Sequence, residues 1–261
     1  MMKIYQRLKL YNKTYIILMS ILLLIVLFII IFFVDNTFEK AKIDKKINDF
    51  ISRGQLIYQD ETFSYYKVTK KYEYEDTKKV VNNYDDNFVG TIGDIYLSNR
   101  NPAPGFFVTK WISRLSYIGH GGVVFSDDGS QMLEIVGNKE IKNNVVKIED
   151  NNWLTIDSPK YVILRVKDID IDKKETIINE GNKILGCKYN YSFIFPSNKR
   201  FYCTNLISYL YKKLDINLNK DLFFTTGNDI IENENTYMIY YRQRYTRNNK
   251  VCYNIYYLSE E

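Results

Sequence analysis

Two hydrophobic patterns follow one another at the start of this chain. Residues 15 to 34, YIILMSILLLIVLFIIIFFV, contain no charged side chain. As a helix rising about 1.5 Å per residue, the run covers roughly 30 Å, the hydrocarbon thickness of a bilayer. Beyond it the apolar positions thin out and become periodic. Phe38, Ala41, Ile47, Phe50, Ile51 and Ile57 recur at close to helical spacing, which predicts a helix over 38 to about 58, either a stalk or the first helix of a domain. Between 62 and 90 the spacing changes again. FSYYKVTKKYEYE alternates aromatic with charged residues and predicts a hairpin, and NNYDDN supplies a polar turn.

The remainder reads as short strands and helices. IGDIYLS (92–98) is a buried strand, and FVTKWISRLSYI (107–118) has the pattern of a short helix. Between them RNPAPGF (100–106) is a loop, because two prolines and a glycine continue neither helix nor strand. GGVVFS and QMLEIV are strands joined through Asp127-Asp128-Gly129, which offers the positive-φ position of a tight turn. VVKIED and YVILRVKDI are further strands, with NNWLTI between them. IDKKETIINEGNKILG (171–186) is an amphipathic helix with Gly186 as its stop. After the aromatic loop CKYNYSFIFPSNKR, FYCTNLISYLYKKLDI opens a second helix whose Cys203, Leu206, Ile207, Leu210 and Leu214 share one face. YMIYYRQRY and VCYNIYYL, separated by RNNK, form a terminal hairpin.

Composition and charge narrow the function classes. Of the 261 residues 46% are apolar, enough for a real core, and the net charge is +5. Lys and Arg are interleaved with Asp and Glu rather than gathered into a stripe, which argues against a nucleic-acid partner. Most of the 24 tyrosines serve as strand and core residues. The N-terminal apolar run exceeds the roughly 7–15 residues of a signal-peptide core, and DNTFEKAK after it lacks a small-residue cleavage pattern. It therefore reads as an uncleaved anchor. Lys3, Arg7, Lys9 and Lys13 precede it with no acidic residue among them, whereas Lys40, Lys42, Lys45 and Lys46 follow it mixed with Asp35, Glu39 and Asp44. The positive-inside rule counts Lys and Arg, so it favours a cytoplasmic N-terminus only modestly. The expected organisation is a short basic segment (1–14), a single transmembrane anchor (15–34), a helical stalk with a Tyr/Lys-rich hairpin (35–88), and an extracytoplasmic domain over 89–261 that ends in the C-terminal hairpin.

Cys187, Cys203 and Cys252 do not make a disulfide framework and contain no CxxC pair. With one histidine in the chain there is no zinc-ligand cluster, and no metal or organic cofactor is implied. An odd thiol in an exported domain points to a free reactive cysteine; if one pair closes, Cys187 with Cys252 is the expected one. Cys203 lies at or just before a helix start, where the dipole and unpaired N–H groups stabilise a thiolate or an oxyanion. His120 is the only side chain whose unperturbed pKa lies near neutrality. Glu134 follows fourteen residues on. With a three-residue loop and a bulge at Gly129, Glu134 opposes Gly122 and shares a face with His120; a two-residue loop puts them on opposite faces. Each residue also has an ordinary explanation. Cys203 fits the apolar stripe of its helix as a core cysteine, a histidine between glycines is often structural, and a salt bridge to Lys or Arg would satisfy Glu134.

Taken together, IGDIYLS, SYIGHGGVVFSDDGSQMLEIVG, YVILRVK, ILGCKYNYSF and RFYCTNLISYLYKK, in that order over roughly 90–216, resemble the YiiX/YebB-like hydrolases. These are the circularly permuted branch of the NlpC-type, papain-like cysteine peptidases, related to lecithin:retinol acyltransferases. The resemblance implies an α+β fold: a small antiparallel sheet carrying His120 and Glu134, with the Cys203 helix packed on it. It implies Cys203 as nucleophile, His120 as general base and Glu134 as the group that orients the imidazole. Tyr202 matches the aromatic residue before the nucleophile, as substrate or oxyanion support, and Asp94 matches the GD motif, with a structural role closing a turn near the site. The chain departs from many relatives at Gly119, where they carry Ser or Thr, and at Thr204-Asn205, where they carry Ser-Glu.

The expected activity is that of a membrane-anchored thiol hydrolase acting on an amide or ester in the cell envelope, with a peptidoglycan peptide slightly preferred. A lipid-directed acyltransferase or amidase, and a non-catalytic envelope binding module that kept the fold, are the alternatives. Nothing in the sequence specifies the oligomeric state.

Overall fold

The structure, a computed structural model, describes residues 2–80, 89–99, 119–137, 143–155, 160–192, 198–219 and 224–260. The expected NNYDDN turn, the 100–106 loop and the 107–118 helix lie outside the described residues. The chain divides into two compact units, Met1–Ala41 and Lys42–Glu261.

The first unit belongs to helix α1 (Met2–Ser52). Its stretch Lys13–Ile31 is, among the described residues, the one segment long and apolar enough to cross a bilayer, and its side chains are exposed. An exposed apolar stretch of that length suits hydrocarbon.

Among the described residues of the second unit, nine strands form one sheet. They are β1 (Gly54–Gln59), β2 (Phe63–Thr69), β3 (Ile95–Ser98), β4 (His120–Val124), β5 (Gln131–Glu134), β6 (Lys147–Asp150), β7 (Lys160–Val166), β10 (Thr236–Arg247) and β11 (Lys250–Ser259). Their order is β1-β2-β11-β10-β7-β3-β4-β5-β6. A short parallel pair, β8 (Lys188–Tyr189) with β9 (Arg200–Phe201), stands apart. The sheet is larger than the small one expected. The N-terminal and C-terminal hairpins both join it, and β2 runs parallel to β11, from Phe63 opposite Tyr253 to Thr69 opposite Ser259. The expected hairpin also forms with a different partner. The helix stops at Ser52, and Gly54–Gln59, read as helix from its periodicity, is the strand that pairs with β2. Its Leu-Ile-Tyr run suits a strand once an edge is there to receive it.

Among the described residues its further helices are α2 (Ile171–Lys183), α3 (Cys203–Lys212) and α4 (Gly227–Glu232). Their apolar stripes build the core. Leu206, Ile207 and Leu210 of α3 are fully buried, each worth about 1.5–3 kcal/mol relative to exposure. Ile43, Ile47 and Phe50 form a buried stripe at the end of α1, and between them the half-buried Lys46 caps α4. Its Nζ donates to the carbonyls of Ile231 (2.7 Å), Asn233 (2.7 Å) and Thr236 (3.0 Å). The terminal hairpin closes through Asn248 and Asn249, both left-handed (φ 51° and 60°), as a two-residue turn of the type that matches strand twist requires.

All three thiols are free. The expected Cys187–Cys252 pair does not form. The Cys187 carbonyl accepts from Val146, placing it beside β6, while Cys252 lies within β11 with its sulfur donating to the Glu61 carbonyl at 3.5 Å.

Candidate active site

The register of the β4–β5 hairpin decides whether His120 and Glu134 meet. Val124 opposes Met132, Val123 opposes Leu133 and Gly122 opposes Glu134, with Gly129 in the turn at φ 77°. This is the register of the three-residue loop; a slip of one residue would turn Glu134 to the other face. His120 Nε2 stands 3.0 Å from Glu134 Oε2.

The glycines after His120 have a steric reason. A Cβ at Gly121 would lie 2.8 Å from Ile207 Cδ1 and 3.1 Å from Leu97 Cδ2, so its absence lets α3 close onto β4. A Cβ at Gly122 would lie 3.0 Å from Met132 Cε, 3.3 Å from Trp153 Cζ2 and 3.4 Å from Glu134 Cβ. The pair therefore clears one side of the strand for α3 and the other for the Met132 side chain and an indole.

Cys203 is the first residue of α3, after Tyr202 in extended geometry at the cap. Thr204 Oγ1 donates to the Thr225 carbonyl (2.7 Å) and braces this end of the helix. The first N–H groups of a helix lack carbonyl partners within it, and together with the dipole they favour negative charge at the Cys203 end. His120, Glu134 and Cys203 are 7%, 9% and 5% exposed, so charge on any of them is felt by the others through little water.

That coupling shows in the imidazole. Burial works against its charged form, but the Cys203 sulfur and the hydrogen bond and charge of Glu134 together hold its pKa up at about 9. Burial likewise opposes charge on Glu134, yet the bond to His120 and the ring's charge keep its carboxyl below the ordinary range. Nδ1 is buried with no aligned hydrogen bond, and with Nε2 turned to Glu134 it is the nitrogen left for the sulfur.

The sign of the pH dependence follows. Because the folded ring titrates near 9 rather than 6.5, its contribution to stability is complete below about 6.5 and lost as pH rises through about 9. Lys46 runs the other way. Burial, then the charge of Lys167, hold it at about 8, so its penalty on the folded state lifts as pH rises from there toward 10.5. The difference in urea midpoint between the detergent-solubilised chain and its His120→Gln variant is expected to shrink between pH 6.5 and 9.5, Lys46 being common to both. A difference constant across that range would contradict the coupling.

Two aromatic residues at the site were not singled out from sequence. Trp153, in the 3₁₀ turn Trp153–Thr155, donates from Nε1 to Glu134 Oε2 at 3.0 Å and stacks on His120, ring centroids 4.8 Å apart and planes 14° from parallel. Its signal was slight: a tryptophan in a polar stretch that needs a partner for its N–H if buried. Tyr189 stands by Cys203, and its hydroxyl is pushed up by burial and then by the charge of that sulfur. Tyr202 is buried at the helix start, pushed up by the same two causes, and its hydroxyl bonds Thr225.

Asp94 does not lie near His120 and Glu134. It precedes β3, whose Ile95 opposes Val123 while Ser98 opposes His120, so it stands at the far end of these strands, roughly 13 Å away at about 3.3 Å per residue. Its two oxygens accept from Arg165 Nε (2.8 Å) and Nη2 (2.7 Å), and Oδ2 also accepts from the Thr91 N–H (2.8 Å).

The profile of a family described as permuted papain-like amidase enzymes, YaeF/YiiX, C92 family, matches residues 91–254. This chain belongs to that family. As a permuted papain-like amidase it is a cysteine hydrolase. The matched span holds His120, Glu134, Trp153 and Cys203 and leaves α1, β1 and β2 outside it. The crystal structure of metalloprotein yiiX from Escherichia coli O157:H7 aligns with 57% of this chain and 96% of its own, at 17% identity and a TM-score of 0.46. No curated protein matches. Among the described residues no group of three or more His, Cys, Asp or Glu is placed to hold a metal ion.

Proposed function

We propose that this amidase works through Cys203 as nucleophile, His120 as general base and acid, and Glu134 as the group that orients the ring. The observation that carries the reading is the 3.0 Å bond from Glu134 to Nε2, which leaves Nδ1 for the sulfur at the start of α3. The thiol proton passes to Nδ1, and the sulfur attacks the amide carbonyl carbon. The resulting oxyanion is stabilised by N–H groups at the helix start, with Tyr202 supporting the same end. The C–N bond breaks as the imidazolium gives its proton to the leaving amine, and a thioester remains. Water then attacks the thioester, losing a proton to the ring, and the carboxylate product departs with the thiol restored.

The substrate is an amide or ester of the cell envelope, a peptidoglycan peptide ahead of a lipid acyl group. The reading is supported by the apolar Lys13–Ile31 segment and the Lys/Arg bias before it, which suit a single-pass anchor with the N-terminus in the cytoplasm and the hydrolase outside. The solubilised full chain is to be incubated with purified muropeptides and, separately, with acyl-lipids, and the products read by mass spectrometry. A new amine terminus in the muropeptides, absent with Cys203→Ala, is the expected result. Deacylated or acyl-transferred lipid would move the substrate to the lipid class. No product from either pool would overturn the proposal.

A further inference from the structure

We propose that Trp153 is a positioning residue for the His120–Glu134 pair, holding the carboxylate by its indole N–H and the imidazole by its ring face; this rests on the roles given to that pair above. One side chain makes both contacts. Nε1 donates to Glu134 Oε2 at 3.0 Å, the same oxygen that meets His120 Nε2 at 3.0 Å. The carboxylate therefore cannot turn away without losing both partners. The indole lies nearly flat on the imidazole, 4.8 Å between centroids, which limits tilting of the ring. A carboxylate with two donors on one oxygen is held ionised, and an aromatic face favours a cationic ring stacked on it.

Trp153 is strapped to the same hairpin that carries the pair. The Asn151 N–H donates to the Ser130 carbonyl (2.7 Å), Asn151 Nδ2 donates to the Gly129 carbonyl (2.7 Å), and Asn151 Oδ1 accepts from the Trp153 N–H (3.2 Å). Both carbonyls belong to the β4–β5 turn, so the indole keeps station with the two residues it touches. A side chain at Gly122 would press on Met132 Cε (3.0 Å) and on Trp153 Cζ2 (3.3 Å). A tryptophan serving only to fill the core would have Tyr96 and Tyr161, edge-on at 5.6 and 6.1 Å, for that purpose; neither contact uses the N–H. Among the described residues, the titratable groups acting on the imidazole are Cys203 from α3 and Glu134 from β5. Behind Glu134 stands Glu149 of β6, itself paired with Lys147.

The chain has one histidine, so ¹⁵N-histidine labelling gives a single imidazole whose charge and tautomer can be followed against pH in the full chain. Trp153→Phe keeps a ring face and removes the donor; its imidazole midpoint is expected to fall by about one pK unit. Benzothienylalanine at 153, which keeps the shape of indole without the N–H, is expected to give the same fall at an unchanged thermal midpoint. An unshifted ring in either folded variant would overturn the proposal, as would failure of the isosteric variant to fold, which would make the N–H structural. The readout needs no substrate. A shifted midpoint without turnover on any substrate would sink the catalytic reading alone, and turnover with an unshifted midpoint would sink the role of Trp153 alone.

Discussion

Turnover by the His120→Ala variant is expected to fall by at least about 10³-fold, and Cys203→Ala to fall to background. The two losses should not add. Once the sulfur is gone the ring has no proton to take, and once the ring is gone the thiol is a poor nucleophile with no acid for the leaving amine. The double variant should therefore be no slower than Cys203→Ala alone. The rates are to be measured on whichever amide the product analysis identifies, with binding checked separately so that a loss in KM is not mistaken for a loss in chemistry. His120→Ala within tenfold of the parent would contradict the assignment of the base. Losses that multiply would contradict the claim that the two groups act as one unit.

The second large effect lies away from the chemistry. Arg165→Ala is expected to cost about 3–5 kcal/mol, because it strands Asp94 as an unpaired buried carboxylate. The Arg165 and Asp94 side chains are 8% and 3% exposed, so water cannot replace the lost partner. Arg165 also donates from Nη1 to the carbonyls of Asp76 (2.8 Å) and Lys78 (2.9 Å), tying the segment after β2 to β7. At about 2–4 °C per kcal/mol for a domain of this size, the thermal midpoint should drop on the order of 10 °C. Arg165→Met combined with Asp94→Asn is expected to recover most of that, since a neutral pair carries no stranded charge. A single variant within about 1 kcal/mol of the parent, by urea unfolding, would show that the ion pair does not brace the fold.

The meeting of His120 and Glu134 was legible in outline. The DDG turn offered two loop lengths, and one of them brings the residues together; the choice between them depends on Gly129 adopting φ 77° in the turn, which spacing alone does not reveal. The stripe through Leu206, Ile207 and Leu210 was legible because helical periodicity is a local property, and α3 buries that face. What failed was mostly non-local. The parallel β2–β11 pair joins residues some 190 apart, and nothing in either segment names the other. For the same reason Ile57 was drawn into a helical pattern that its strand partner overrides. Asp94 was read from a motif as a turn near the site, but its partner, Arg165, lies 71 residues on and at the other end of the strands. Trp153 escaped because its value depends on two contacts made across the hairpin. The short helix α4 was missed although its capping box, Thr226 with Asp229, is written locally.

Each point of the catalytic account returns to the sulfur of Cys203 and the ring of His120, and thiol labelling tests that pairing without a substrate. The full chain is to be treated with iodoacetamide near pH 6 and the rate at each cysteine read by peptide mass spectrometry. Cys187, the more exposed of the other two thiols, is the fair control, because Cys252 is buried and slow on access alone. Cys203 is expected to react at least about tenfold faster than Cys187, despite being better buried, and His120→Ala should abolish the difference. Equal rates at Cys203 and Cys187, or a preference for Cys203 that survives in His120→Ala, would contradict the pairing.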